Sequence, residues 1–322
     1  MIDRTDFIKK QIVFYFPGQG DRMSFQNDNI VIKDKDKKTK FQATCYRIFL
    51  IFVVGDTTIT TGLLSRAKKF GFSLCLMNRN MKMYQFIGAR MEGNTLLRKR
   101  QYDYQEMKVG RFIILNKIEN QRAALMNLRN KNELLLEAIE KLDEHIEKLK
   151  GPELDLNKIM GIEGSAARTY FPQMFNNVKW KGRKARIKCD YINASLDIGY
   201  TILFNIIDAL LNVYGFDEYY GVFHRCFYMR KSLVCDLQEP FRPIIDYATR
   251  KAVNLKQIKE DDFTVYNMRY VLEWKKSPEY MQIYLKEILK YKEEIFLYIQ
   301  GYYRSVMKQK SAEEYPVFLY RG

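Results

Sequence analysis

The chain has 322 residues, 47% of them hydrophobic, and its 54 lysines and arginines exceed 38 acidic residues, giving a net charge of +16. The hydrophobic fraction is enough for real cores and excludes a disordered chain, while the length suggests two domains. The positive excess favours a polyanionic partner, either nucleic acid or an anionic membrane surface.

The sequence carries no recognisable membrane or secretion signal. The longest clean apolar run, "IFLIFVV" at residues 48–54, is too short to span a bilayer and predicts a buried strand. The first residues, "MIDRTDFIKKQIVFYF", lack the cleavage site of a secretory signal. Five cysteines without a CxxC pair indicate a reducing compartment and argue against a structural zinc site. We therefore expect a soluble cytoplasmic protein that meets nucleic acid and no membrane.

Residues 1–90 predict a small β-rich domain. Apolar and aromatic runs bounded by turn residues predict strands at 11–16, 28–33, 40–54, 72–78 and 81–88. The last two strands are expected to form a hairpin. The charged segment "KDKDKKTK" at 33–40 predicts a solvated hairpin tip, and residues 60–71 predict a short helix that ends at a glycine.

Residues 91–322 predict a larger all-α domain, linked to the first near residues 89–95. Leucines spaced by seven within residues 125–149 predict a helix with a coiled-coil-like seam. The almost wholly apolar stretch 191–215 predicts a buried helix, with Asp190 as its N-cap. Residues 277–308 predict one amphipathic helix. The predicted fold class is thus α+β, a small β domain (1–90) followed by an all-α domain (91–322).

Two carboxylates stand out in the segment "SLVCDLQEPFRP", residues 232–243. Asp236 and Glu239 are three residues apart within an apolar frame, so on a helix they would face the same way. Two carboxylates held together in such a frame repel each other unless a cation or a proton lies between them. The simpler alternative is that Asp236 pairs with Arg242 or Lys231.

Glu163 and His224 are further candidates for a site. Glu163 lies in "MGIEGSAARTYF", where glycines and other small residues would allow a ligand or a second helix to approach closely. It could equally favour a helix start through its charge. His224 lies among aromatic residues, where a structural histidine is common. Oxygen donors with one imidazole and no thiolate would suit Mg²⁺ or Mn²⁺ better than structural Zn²⁺.

Basic residues with interleaved aromatic residues surround these candidates. The segment "KWKGRKARIK" at 179–188 contains Trp180 and is followed by Tyr191, and further basic residues follow His224. Such a surface suits the tracking of a phosphate backbone around a metal, although any one of these charges could serve solubility alone. The candidate DNA-binding residues are Lys179, Lys181, Arg183, Lys184, Arg186, Lys188, Arg225, Arg230 and Lys231.

Three stretches of the chain together resemble the motifs of a known family. They are "GIEGSAARTYF" (161–171), "GVFH" (221–224) and "SLVCDLQEPFRPIID" (232–246), and "GNTLLRKRQY" (93–102) looks like the segment where that family's α domain begins. In this order they resemble the CRISPR-associated adaptation integrases, the family of the universal first Cas protein. That protein inserts spacers into CRISPR arrays. The resemblance covers almost the whole chain.

The resemblance implies a catalytic metal site. Glu163, His224 and Glu239 would bind Mg²⁺ or Mn²⁺, with Asp236 beside them. The 3′-hydroxyl of a captured DNA duplex would attack a phosphodiester at the edge of a CRISPR repeat, so no protein nucleophile is needed. The family forms homodimers through its β domains. It also binds a small ferredoxin-like CRISPR-associated protein that bridges two dimers into a heterohexamer.

Two other functions are consistent with the same residues. A metal-dependent nuclease acting on branched or single-stranded DNA would use the same ion with water in place of the 3′-hydroxyl. A non-catalytic nucleic-acid scaffold would keep the fold and the basic surface alone. The presence of Glu163, His224, Asp236 and Glu239 together argues against the scaffold.

Overall fold

A computed structural model describes residues 4–79, 83–88, 91, 93–103, 107–151, 154–184 and 187–322. The chain divides into two compact units. Unit 1 comprises residues 1–95 with residues 208–216, and unit 2 comprises residues 96–207 with residues 217–322. A strand-rich N-terminal region is thus followed by a mostly helical region, which confirms the predicted fold class.

Unit 1 is built from two four-stranded sheets. Its strands are β1 (Gln11–Tyr15), β2 (Arg22–Gln26), β3 (Asn29–Lys33), β4 (Thr39–Thr44), β5 (Ile48–Val54), β6 (Thr58–Ile59), β7 (Ser73–Met77) and β8 (Met83–Gly88). One sheet has the order β1-β5-β7-β8, with only β8 antiparallel to its neighbour, and the other has the order β4-β3-β2-β6. Helix α1 spans Arg4–Lys9 and α2 spans Thr61–Phe70. Residues of both sheets and α2 share one apolar core.

The prediction of one continuous strand at residues 40–54 is wrong. It divides into β4, a 3₁₀ turn at Cys45–Arg47, and β5, and the two strands belong to different sheets. The two strands differ in solvent exposure, and this explains the division: β4 is largely accessible, whereas every residue of β5 is buried. A strand covered on both faces suits the centre of a parallel sheet, and β5 lies between β1 and β7. The predicted β7–β8 hairpin and the predicted helix α2 are confirmed.

Unit 2 contains most of the helices. They are α3 (Thr95–Asp103), α4 (Met107–Met126), α5 (Glu133–Lys150), α6 (Leu156–Met174), α7 (Tyr191–Tyr214), α8 (Ser232–Gln238), α9 (Arg242–Asn254), α10 (Ser277–Lys290) and α11 (Lys292–Lys308). The first residue of α3 and the last turns of α7 belong to unit 1. Unit 2 is not wholly helical, because β9 (Phe263–Tyr266) and β10 (Arg269–Leu272) form an antiparallel hairpin.

Two predicted helices are each interrupted. The heptad stretch 125–149 contains a break after Met126, and α5 begins only after Asn132, whose side chain accepts from Leu135 N at 3.0 Å. The amphipathic stretch 277–308 breaks at Tyr291, whose ring packs against Phe318. Local capping and tertiary packing, which periodicity does not encode, set these boundaries.

Helix α7 is the buried helix that the sequence predicts. Asp190 caps it by accepting a hydrogen bond from Asn193 N at 2.7 Å. Among the helices in the described part of the chain, α7 alone is long and apolar enough to cross a bilayer, but 78% of that apolar window is buried inside the protein. Burial of this kind is typical of a core helix.

Gly199 allows α7 to pack closely against α9 and α10. A Cβ atom at this position would lie 2.4 Å from Ile245 Cγ2 and 2.7 Å from a ring carbon of Tyr284. These distances are shorter than any ordinary van der Waals contact, so a larger residue would force the helices apart. Because α9 begins three residues after Glu239, this contact also helps to position the candidate site.

We predict that Gly199→Ala lowers the free energy of unfolding of unit 2 by about 1–3 kcal/mol, through overpacking. Urea denaturation followed by circular dichroism measures this change. Gly161→Ala is the matched control, since a Cβ there meets nothing within 4 Å in helix α6. The control should raise stability by about 0.5–1 kcal/mol by favouring the helix. Equal effects of the two substitutions would contradict the packing argument.

Candidate active site

Helix α4 is the central support of the candidate site. A Cβ at Gly110 would lie 3.0 Å from Phe223 Cβ and 3.0 Å from the Val222 carbonyl oxygen. A larger residue here would push the loop that carries His224 a few tenths of an ångström away from the helix, so glycine favours this close approach.

The same helix fixes the other side of the site through buried amides. Asn116 accepts from Phe318 N at 2.9 Å and donates to the Phe318 carbonyl at 2.7 Å. Asn120 accepts from Tyr320 N at 2.8 Å and donates to the carbonyl of Pro240 at 3.1 Å. Pro240 is next to Glu239, so α4 holds both the final segment of the chain and the turn that carries a candidate ligand.

Lys117 of α4 is the cation at the centre of the site. Its Nζ lies 2.5 Å from Glu163 Oε1 and 2.6 Å from Glu239 Oε2. Glu163 is contributed by α6 and Glu239 by the 3₁₀ turn Glu239–Phe241 that follows α8. Two carboxylates from distant parts of the chain therefore converge on one ammonium group.

The charges of this cluster stabilise one another. Burial lowers the pKa of Lys117, but Glu239 and Glu163 outweigh burial and hold its pKa above the usual value. Burial raises the pKa of Glu239, but Arg242 and Lys117 outweigh it and lower the pKa to about 2. Arg242 Nη1 lies 3.1 Å from Glu239 Oε1. Buried charges persist only when they are paired in this way.

Asp236 does not join this cluster. Its fully buried carboxylate accepts hydrogen bonds from the backbone N–H groups of Val222 (2.7 Å), Phe223 (3.0 Å) and His224 (2.9 Å). Its Oδ1 also lies 2.6 Å from Nδ1 of the His224 ring. Both oxygens are thus engaged in holding the loop, and the contact to Nδ1 orients the imidazole so that Nε2 is available to a ligand.

The expectation that one cation lies between Asp236 and Glu239 is wrong. Helix α8 ends at Gln238, so the two carboxylates belong to different turns and have different partners. The alternative pairing of Asp236 is also wrong: Arg242 pairs with Glu239, and Lys231 Nζ lies 3.6 Å from Glu218 Oε1. The cation shared by two carboxylates exists, but it joins Glu239 to Glu163.

A second buried network supports Arg242. Its guanidinium lies 4.4 Å from the centre of the Tyr200 ring, and the Tyr200 hydroxyl donates to Asp246. Tyr170 also donates to Asp246, at 3.1 Å. Burial raises the pKa of Asp246 to about 6, although Tyr200, Arg242 and Tyr170 lower it. These rings fix the position of Arg242 and therefore the carboxylate of Glu239.

The residues around Glu163 are open rather than crowded. A Cβ at Gly161 would meet nothing within 4 Å, and one at Gly164 would meet only Arg168 Nη1 at 4.0 Å. The two glycines of this motif therefore do not pack against a second helix, whereas Ala166 is buried. They leave space beside Glu163 from which a ligand can approach.

The donor chemistry of the site fits a divalent ion in part. Glu163 and Glu239 already bind one cation between them, and carboxylate oxygens with an imidazole nitrogen suit Mg²⁺ or Mn²⁺. His224 is near enough to Glu239 to contribute to lowering its pKa. No group of three or more His, Cys, Asp or Glu side chains lies in coordinating reach within the residues that the structure describes.

The basic segment 179–188 is anchored to the start of α7. Asn193 accepts from Lys184 N at 2.9 Å and donates to the Gly182 carbonyl at 3.1 Å. Arg183 is bound internally, because its guanidinium lies 2.6 Å from Asp197 Oδ1. The side chains of Lys179, Lys181 and Lys184 are exposed.

The remaining candidate DNA-binding residues differ in accessibility. Arg186 lies outside the described residues. Lys188 is half-buried, and its carbonyl accepts from Tyr270 N at 2.9 Å. Arg225 is exposed, whereas Arg230 and Lys231 are half-buried. Arg230 contacts the Cys235 thiol, and its electrostatic effect there is to lower the pKa that burial raises.

Lys117 is the residue of the candidate site that the sequence analysis does not identify. It lies in the segment "GRFIILNKIENQ", where four polar residues, Asn116, Lys117, Asn120 and Gln121, are buried among apolar ones. The available signal was a lysine at the centre of a long, mostly apolar helix. Burial of a lysine requires a partner of opposite charge.

We predict that Lys117→Met destabilises the protein by about 3 kcal/mol, because it leaves Glu163 and Glu239 facing each other without the cation between them. Combining it with Glu239→Gln should recover part of this loss in a double-mutant cycle measured by urea unfolding. Lys141→Met is the control, because Lys141 pairs with Glu137 at 3.9 Å on an exposed face. Its effect should stay below about 1 kcal/mol. A similar effect of both substitutions would refute the shared-cation assignment.

Comparison with known proteins agrees with these motifs. The model of the family described as "CRISPR associated protein Cas1" matches residues 14–286. A relative named CRISPR-associated endonuclease Cas1 1, from Thermodesulfovibrio yellowstonii, is 29% identical over 225 residues, covering 66% of this chain and 71% of the relative.

Two solved structures have the same fold at low sequence identity. A Cas6-RT-Cas1–Cas2 complex has a TM-score of 0.78 at 20% identity; the match covers 96% of this chain but only 36% of that one. A casposase bound to an integration product has a TM-score of 0.73 at 19% identity, covering 94% of this chain and 92% of that one. At these identities the likeness shows the fold alone. Since the family model extends over most of the chain and the motifs lie within it, the chain belongs to the Cas1 family of CRISPR-associated proteins.

Proposed function

We propose that this chain is a metal-dependent DNA integrase that inserts short DNA duplexes into a CRISPR repeat. The observation that carries the proposal is the convergence of Glu163 and Glu239 on one cation, 2.5 and 2.6 Å from Lys117 Nζ, in a family of CRISPR-associated proteins. A site that concentrates cation-binding oxygens next to an oriented imidazole suits phosphoryl transfer.

Glu163, Glu239 and Nε2 of His224 would bind Mg²⁺ or Mn²⁺. The ion would polarise the scissile phosphate and offset the charge on the leaving oxygen. Lys117 holds the two carboxylates together, and Arg242 holds Glu239 from the other side. Asp236 would be a positioning residue, since its contact with Nδ1 leaves Nε2 available to bind the ion.

The reaction needs no nucleophile from the protein. The 3′-hydroxyl oxygen of the incoming strand forms a bond to phosphorus, and the bond from phosphorus to the 3′-oxygen of the target strand breaks. The attacking hydroxyl loses a proton and the leaving oxygen gains one. Protein side chains then contribute position and charge, as in other phosphoryl transfers.

The assembly is also part of the proposal. One structural neighbour is a Cas6-RT-Cas1–Cas2 complex and another is a casposase bound to an integration product. By analogy, the chain would act in the cytoplasm as a homodimer formed through its strand-rich unit. Its partners would be double-stranded DNA and a small ferredoxin-like CRISPR-associated protein that joins two dimers in a heterohexamer.

We predict that Glu163→Ala, His224→Ala and Glu239→Ala each lower strand transfer at least about 100-fold, because each removes a ligand of the ion that stabilises the transition state. The assay measures joining of a labelled duplex to a repeat-bearing plasmid, with and without the small bridging protein. Glu260→Ala is the control, since this acidic residue is exposed in unit 2. Wild-type rates from all three ligand variants would refute the site.

The products of the same assay separate the rival functions. Joined strands indicate integration, whereas shortened strands alone indicate a metal-dependent nuclease that uses water. Binding of DNA without binding of Mn²⁺ or any change to the strands would indicate a scaffold.

We predict that replacing Lys179, Lys181 and Lys184 together by Ala weakens DNA binding for every sequence. Each lost phosphate contact should reduce the slope of log affinity against log salt by about 1, so the slope should fall by about 3. Fluorescence anisotropy across a salt series measures the slope. The control replaces Lys141 and Lys148, which lie 3.9 and 4.0 Å from glutamates on α5. An unchanged slope in the triple variant would exclude this segment from the DNA path.

A further inference from the structure

The β9–β10 hairpin projects from the helices of unit 2. Residues 264–269, which comprise most of β9, the turn and the start of β10, are all exposed. Tyr266 is 70% exposed, and Met268 in the turn is 88% exposed. The outer part of the hairpin is therefore surrounded by solvent on both of its faces.

The base of the hairpin is fixed to the helices. The buried ring of Phe263 packs edge-on against Tyr280 of α10, with ring centres 5.6 Å apart. The Tyr280 hydroxyl donates to Asp262 Oδ2 at 2.9 Å, and Glu273 N donates to the Asp262 carbonyl at 3.0 Å. An isolated two-stranded hairpin is only marginally stable in water. These contacts at the base therefore allow the outer part to stand away from the core.

The turn at the tip is of a type that seldom carries a large side chain. Asn267 and Met268 both have positive φ, 47° and 58°, as a two-residue type I′ turn requires. Asparagine tolerates this conformation, but glycine is strongly favoured at the second position. Residues held in such conformations cluster at functional sites. A methionine here therefore favours a role for its side chain in binding rather than in folding.

One face of the hairpin carries side chains that suit the reading of base edges. Cross-strand partners lie on the same side of a sheet, so four exposed residues share this face: Thr264, Tyr266, Arg269 and Val271. Arginine forms paired hydrogen bonds with guanine, asparagine does so with adenine, and apolar groups contact the thymine methyl. The side chains of Asn267 and Arg269 have no hydrogen-bond or ion-pair partner among the residues that the structure describes. Both are available to a ligand.

The hairpin is joined to the basic segment 179–188. Tyr270 of β10 donates through its N–H to the Lys188 carbonyl at 2.9 Å and through its hydroxyl to Glu260 Oε1 at 2.6 Å. The segment that the proposed function assigns to the DNA backbone thus ends beside the hairpin. Contacts to phosphates position a duplex but carry no sequence information directly. An element that reads bases would supply what the lysines lack.

The dimensions and charge of the hairpin fit duplex DNA better than a protein partner. The major groove is about 12 Å wide and about 8.5 Å deep, and it admits a two-stranded β-ribbon. Three exposed residues of β9 rise by about 10 Å, enough to reach the base edges. Arg269 on the exposed face and the net charge of +16 suit an anionic ligand.

We propose that the β9–β10 hairpin enters the major groove of the target duplex and reads base pairs there, so that it sets the sequence preference of the chain. This inference rests on the proposed function, because it names the part of the chain that chooses the target. Arg269 and Asn267 supply the hydrogen bonds, and Met268 supplies the apolar contact.

The test selects binding sites from a randomised duplex library with the full-length protein in metal-free buffer. The wild-type protein should enrich a preferred run of about four base pairs. Arg269→Ala should lower the enrichment of guanine at one position about tenfold, and Asn267→Ala should do the same for adenine at another. Affinity for unselected duplexes should change less than about twofold, because other residues supply the phosphate contacts.

Two further measurements locate the readout. Guanine N7 lies in the major groove, so methylating it in the selected duplex should weaken binding of the wild-type protein about tenfold and leave binding of Arg269→Ala unchanged. Met268→Gly removes the side chain at the tip, while glycine adopts the positive φ freely. This variant should enrich thymine less with an unchanged circular dichroism spectrum, which separates lost contact from lost structure.

The controls are matched in charge and in turn type. Arg304→Ala removes the same charge from an exposed position on α11. Asp28→Gly removes a side chain from the two-residue turn between β2 and β3, where φ is also positive. Both variants should keep the base preferences of the wild-type protein.

Several outcomes would overturn the proposal: no enrichment by the wild-type protein, unchanged preferences in the hairpin variants, equal weakening on every sequence, or loss of binding to a protein partner alone. If the hairpin variants lose base preference but the wild-type protein joins no strands with Mg²⁺ or Mn²⁺, the proposed integrase function fails and the readout stands. If strands are joined at target positions that the hairpin variants leave unchanged, the integrase function stands and this inference fails.

Discussion

The arrangement of unit 2 depends on one buried ammonium group shared by two carboxylates. Lys117, Glu163 and Glu239 come from three elements that are far apart in the sequence, and the charges of Lys117 and Glu239 could not be buried alone. The penalty for desolvating these two charges is offset only when the helices bring the three side chains into contact. The cluster therefore acts as a condition on folding, because a misplaced helix would leave an uncompensated charge in the interior.

The helices around this cluster contribute different groups to the candidate site. Helix α4 contributes the central cation and the buried amides, α6 contributes a carboxylate bordered by open space, and α8 orients the imidazole. The aromatic rings of Tyr170 and Tyr200 then fix Arg242 from behind. Lys179, Lys181, Lys184 and Arg225 remain exposed. The buried charges are thus paired with opposite charges, while the net positive charge of the chain remains on its surface.

Much of this arrangement can be predicted from the sequence, for identifiable physical reasons. Hydrophobic periodicity predicts α7 and β5, and turn residues predict the β7–β8 hairpin, because these signals are local. Motif spacing leads to Glu163, His224, Asp236 and Glu239 but not to their pairing. Their spacing of three residues predicts that Asp236 and Glu239 share a cation or a proton, yet α8 ends between them. Lys117 could not be found by spacing, since its partners are fixed by tertiary packing. The breaks before Asn132 and at Tyr291 likewise depend on a cap and on a distant ring.

The pairing of Asn116 and Asn120 with Phe318 and Tyr320 joins residues about 200 positions apart. During synthesis on the ribosome, the strand-rich unit and the first helices emerge long before those partners exist. The buried amides of α4 must then stay hydrated or find temporary acceptors until Phe318 and Tyr320 have been synthesised. Completion of unit 2 is consequently a late, long-range event, and translation that stops before Phe318 would leave the central helix of this unit unsupported.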